Sequence, residues 1–110
     1  MRDCKLYLDD ILEATARIER YTKGLTLERL RKDNLTIDGV VRNLEIIGEA
    51  AKNIPANVKE KHPVIEWKKI AGLRDILAHE YYGIDLEIIW DIVENKLPVL
   101  KKEIARLLKK

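Results

Sequence analysis

Residues 35–55, LTIDGVVRNLEIIGEAAKNIP, decide how this chain folds. Ile37, Val40, Val41, Leu44, Ile47, Ala51 and Ile54 recur at three- and four-residue steps, which gathers them on one broad face of a helix. Pro55 cannot continue that helix. Asp38 and Arg42 stand four apart in the favourable acid-before-base order. Gly48 lowers helix propensity by about 1 kcal/mol relative to alanine, so a close approach by another helix is expected there.

The same period extends outward in both directions. Residues 3 to about 23 read as a first helix, with Cys4, Leu8, Ile11, Ile18 and Leu25 in step and Gly24 placed to end it. TLERLRKDN (26–34) reads as a short helix or turn capped by Thr26. PANVKEKHP (55–63) reads as a loop between two prolines, with His62 solvated inside it. A helix follows from about Trp67 to His79, with Ile70, Leu73 and Ile76 or Leu77 inward. Asp85 is positioned to cap a last helix carrying Leu86, Ile89, Ile92 and Val93 inward, which Pro98 should kink or restart. Trp67 and Trp90 both occupy apolar helical positions and are expected in packing. Four principal helices with short connections predict an all-α, antiparallel four- to five-helix bundle formed by residues 1–110 as one domain.

Composition narrows the function. Hydrophobic residues make up 46% and charged residues 36% of 110, a balance that suits a helical core under a solvated charged surface. No apolar run approaches the ~20 residues that span a bilayer. Asp9, Asp10 and Glu13 break up the stretch a signal peptide would need, so a cytoplasmic protein is expected. The single cysteine, Cys4, excludes an internal disulfide and a cysteine zinc cage. A net charge of +2, from 21 basic and 19 acidic residues, is too small for a general nucleic-acid coat, so any RNA contact must be local. Ser, Gln and Phe are absent while Lys, Glu, Ile and Leu abound, a weak sign of a hot habitat.

One stretch departs from this pattern. GLRDILAHEYYG (72–83) crowds Arg74, Asp75, His79, Tyr81 and Tyr82 at the end of a helix that Gly83 can terminate. One histidine without a cysteine, or a histidine four residues away, supplies no metal cage. A chain without serine holds no Ser–His–Asp triad. A fixed guanidinium and an imidazole suit an RNA phosphodiester, because the 2′-hydroxyl nucleophile is already in the substrate. A base takes its proton, and a cation stabilises the charge that builds on the phosphoryl oxygens. Residues five apart on an α-helix are offset by ~140°, so Arg74 and His79 do not share a face. Either the helix unwinds near His79 or a second copy completes the site. A structural reading stays open beside both: Arg74 pairing with Asp75 or Asp91, and His79 bonding the last carbonyls of its helix.

The spacing Arg74-x4-His79-x-Tyr81 resembles the signature of HepT-like toxins, small helical members of the HEPN superfamily. The blocks RNLEIIGEAAKNI (42–54), WKKIAGLRDILAHEYYGID (67–85) and IWDIVENKLPVLKKEI (89–104) resemble that family in its own order. The resemblance implies a homodimeric helical bundle acting as a metal-independent endoribonuclease without a cofactor. It implies Arg74 and His79 as the catalytic pair and Asp75 as their support. It also implies a partner, an MNT-type nucleotidyltransferase antitoxin, that transfers AMP to Tyr81. The alternative it carries is a non-catalytic subunit that binds nucleotide or substrate for such a transferase.

Overall fold

The computed structural model describes residues 4–79 and 85–109; at positions 74–76, 78 and 79 the description is of the backbone. Among the described residues every regular element is helical: α1 (Cys4–Thr22), α2 (Leu27–Arg31), α3 (Asn34–Lys52), α4 (Ala56–Lys61), α5 (Trp67–His79), α6 (Leu86–Asp91) and α7 (Leu97–Leu108). A π-helical segment, Ile92–Lys96, joins α6 to α7.

The middle of the bundle is α3, which packs against both α1 and α5. Val40, Val41, Leu44, Ile47, Ala51 and Ile54 are buried as their spacing predicts, and Ile37 packs against them half-buried. Gly48 is buried too, in keeping with a close approach at that position. Helix α1 runs antiparallel to α3: Tyr21, near its end, meets the start of α3 at Gly39, and Tyr7, near its start, shares a groove with Ala50 and Asn53. It also packs against α7, where Lys101 reaches Glu19 at 3.1 Å. Between them α1 buries Leu8, Ile11, Thr15, Ile18 and Thr22 at alternating three- and four-residue steps. The two threonines tolerate burial because each hydroxyl donates to the carbonyl four residues back, Ile11 and Ile18, at 2.8 Å.

The helix ends follow local chemistry. Gly24 adopts φ 78°, the left-handed conformation, so α1 stops at Thr22 and Leu25 lies beyond the helix. Thr26 caps α2 by accepting from the Arg29 N–H at 3.2 Å. Asp33 separates α2 from α3, within a residue or two of the boundary read from the sequence, and caps α3. Its carboxylate accepts from both the Thr36 N–H and the Thr36 hydroxyl, at 3.0 and 2.6 Å. Asp85 caps α6 by accepting from the Glu87 N–H at 2.9 Å.

One expectation needs correction. The segment 55–63 is not all loop, since Ala56–Lys61 forms α4 behind the extended Pro55. It buries no residue, so hydrophobic periodicity had nothing to report there. Pro98 restarts the helix, as its position predicts, by way of a π turn. It sits in the first turn of α7, and the Leu97 N–H donates to Ile92, five residues back. The wider π turn relieves the crowding that a proline ring causes against the preceding turn.

Candidate functional site

Helix α5 carries the Arg–His motif, and its N-terminal end is firmly placed. Trp67 is buried and its indole N–H donates to the His62 carbonyl at 3.1 Å. His62 thus ends α4 and holds Trp67 through its main chain, with its own ring half-buried rather than fully solvated. Further along, Ile70 and Leu73 pack against the core and Leu77 is buried in it. Trp67 therefore meets the packing expectation, while Trp90, on α6, is only half-buried.

This anchoring fixes the register of the motif. The α-helix continues through His79, so the backbone does not unwind before that residue. Measured around the axis from Leu77, position 74 lies ~60° away and position 79 ~160° away on the other side. Position 75, where Asp75 stands, falls ~160° from Leu77 as well, on the side of the helix away from the core. The ~140° separation of positions 74 and 79 therefore stands. Tyr81, the expected acceptor of AMP, lies outside the described residues, as do Tyr82 and Gly83.

Charge gathers where α5 begins. Glu66 and Lys69 pair at 2.8 Å, and this bond holds the Glu66 carboxyl below its ordinary range, with the nearby positive charge of Lys96 adding to it. The same bond raises the Lys69 ammonium. Lys68 and Lys96 are exposed and take part in no ion pair among the described residues. The sequence reading passed over these lysines, although Lys68 precedes His79 by eleven residues, a spacing that returns a helix to the same face. Asp91, one candidate partner for Arg74, accepts from Asn95 at 2.7 Å. Glu45 lies 3.8 Å from Arg42 in a surface ion pair. Among the described residues no three His, Cys, Asp or Glu side chains gather as metal ligands would, and no helix is long and apolar enough to cross a membrane.

Comparison with known proteins now adds to this geometry. The model of a family described as "Ribonuclease HepT-like" matches residues 11–107. A protein of Methanocaldococcus jannaschii named "Putative RNase" is 46% identical over 108 residues, covering 98% of this chain and 89% of that one. The "Probable ribonuclease HepT" of Thermococcus cleftensis is 44% identical over 108 residues, 98% of each chain. Another "Putative RNase", from Caldanaerobacter subterraneus, is 41% identical over 110 residues, 100% of this chain and 98% of its own. No solved structure matches significantly.

Proposed function

The chain belongs to the HepT-like ribonuclease family, and on that premise we propose that it is a metal-independent endoribonuclease whose active site two copies complete. The observation that carries the second half is the unbroken helix from Trp67 to His79. One copy of such a helix offers position 74 and position 79 to different sides. A two-fold axis beside α5 supplies the missing group from the mate, because a symmetric contact presents every residue twice.

In this reading Arg74 and His79 act on one ribose–phosphate junction. His79 takes the proton of the 2′-hydroxyl, whose oxygen then attacks the adjacent phosphorus. The bond to the 5′-oxygen breaks, leaving a 2′,3′-cyclic phosphate and, after protonation, a 5′-hydroxyl. Arg74 holds the phosphoryl oxygens as their charge rises, with planar donors that match their geometry. Asp75 orients the pair. No metal takes part, since the nucleophile belongs to the substrate and the stabilising charge to the guanidinium.

As a cytoplasmic toxin such an enzyme needs a restraint, and we assign that to an MNT-type nucleotidyltransferase antitoxin. The Tyr81 hydroxyl attacks the α-phosphorus of ATP, pyrophosphate leaves, and the tyrosine oxygen keeps AMP in place of its proton. A phosphodiester two residues beyond His79 then competes with RNA for Arg74 and blocks the cleft. Co-expression with the transferase followed by intact-mass measurement tests this. The reading expects added AMP in the wild type and none in Tyr81→Phe. Addition that persists in Tyr81→Phe removes Tyr81 from the account, and an unmodified chain that cuts no RNA would favour a binding subunit for the transferase.

A further inference from the structure

Helix α3 buries one side in the core and turns the other to solvent. On that outward side positions 42, 46, 49 and 53 recur at four, three and four residues, all ~140–180° around the axis from the buried Leu44. Arg42, Glu49 and Asn53 are exposed there, with Ile46 half-buried between them. A groove of about 540 Å³ runs along this side, flanked by Tyr7 and Asp10 of α1. An apolar centre between charges is the layout of a protein interface.

The charges also say what fits there. Arg42 stands four residues before Ile46, ~6 Å along the axis, and Glu49 three residues after it, ~4.5 Å. A second α3 crossing antiparallel at Ile46 therefore brings its Glu49 within ~1.5 Å of Arg42 along the axis, and its Arg42 equally near Glu49. A parallel crossing would set like charge against like. Within its own chain Arg42 reaches Glu45 at 3.8 Å, long for an ion pair, and its side chain stays 72% exposed. A carboxylate accepts several donors at once, so a contact of Glu49 within its own chain leaves room for the guanidinium. Asp10, Glu45 and Glu49 along the groove outnumber Arg42, which turns a polyanion away.

We propose that two copies of this chain join through the outward side of α3, antiparallel about Ile46, with Arg42 of each copy bonded to Glu49 of the other. The inference rests on the two-copy reading above and names the face the copies share. Helices α1 and α5 both pack against α3 but not closely against each other, so they flank it. A two-fold axis at right angles to α3 keeps each flanking helix on its own side. Helix α5 then faces the α5 of the second copy rather than its α1, and the two motif-bearing helices become neighbours across the axis. That is the arrangement a site incomplete in one copy requires.

Sedimentation equilibrium of the full chain tests this, with circular dichroism to show that each variant is folded. The wild type should be a dimer. Arg42→Glu opposes two acids across the axis and Glu49→Arg two cations, each twice by symmetry, so either should raise the dimer Kd about tenfold or more. The double variant R42E/E49R restores opposite charges and should return to within about threefold of the wild type. Positions 42 and 49 lie ~10.5 Å apart along their own helix, so that rescue has to come from the second copy. Ile46→Glu should leave a monomer. Single reversals that leave the dimer untouched, or a double variant no better than either single one, overturn the proposal and move the two-copy site to another face. So does a dimer that survives Ile46→Glu, or one that stays intact while these variants lose a nucleotidyltransferase partner, which would give the face to that protein. A monomeric wild type that cuts RNA refutes both this seam and the two-copy reading. Charge-rescued dimers that cut no RNA refute the nuclease reading and leave the seam standing.

Discussion

Replacing Leu44 by alanine tests whether α3 is the central element of this bundle. Leu44 is 0% exposed and lies midway along a helix that touches both α1 and α5. Losing a buried leucine side chain costs about 2–5 kcal/mol, part transfer from water and part the cavity left between helices. A domain of this size is held together by only ~5–15 kcal/mol. With ~4 °C of melting temperature per kcal/mol, Leu44→Ala should melt about 8–20 °C below the wild type. Leu35, two and a half turns earlier on the same helix, is 84% exposed, and Leu35→Ala should stay within ~0.5 kcal/mol of the wild type. Thermal unfolding followed by circular dichroism reads both. If Leu44→Ala fails to fold, Leu44→Met keeps the volume and should cost less than about 1.5 kcal/mol. Equal losses for Leu44→Ala and Leu35→Ala would refute the placement of α3.

Other outcomes follow from single contacts. A Cβ at Gly39 would lie 3.2 Å from the Tyr21 ring, but that residue is 42% exposed near the end of α1 and has room to move. The helix gains up to ~1 kcal/mol on Gly39→Ala, so a net rise of a few degrees in melting temperature is expected, and a fall would mean the ring is pinned. The Asp33 carboxyl is held below its ordinary range by the Thr36 hydroxyl first and the Thr36 N–H second. Its contribution is therefore complete above the unfolded carboxyl's range and is lost as acid protonates the folded cap. The stability gap between wild type and Asp33→Asn should narrow as pH falls from about 5 toward 2, as a series of melting curves can check. Arg74→Ala should abolish RNA cleavage yet move the melting temperature by no more than a few degrees. A drop as large as that of Leu44→Ala would make Arg74 a structural residue.

The parts of the fold that bury apolar surface were the parts legible in the sequence. The burial of α3 matches its predicted face, and α1 was placed within a residue of its ends because Leu8, Ile11 and Ile18 face the core. What escaped was held by polar contacts or by no burial at all. Helix α4 has no buried residue, and the capping of α3 by Asp33 lies in hydrogen bonds to Thr36 that no hydrophobic period reports. Pro98 announced a disturbance, yet spacing alone could not show that one widened turn would absorb it. The motif residues stood out by type, since Arg74, Asp75 and His79 interrupt an otherwise apolar helix end. Their register became definite only with a helix that continues through His79 and an inward Leu77 to measure from.

Digestion of RNA in excess EDTA tests the central claim most directly, with freshly purified protein whose intact mass excludes bound AMP. The wild type should cut, and both Arg74→Ala and His79→Ala should not. Cleavage that disappears with EDTA, or that survives in His79→Ala, would contradict a metal-free site built from this pair.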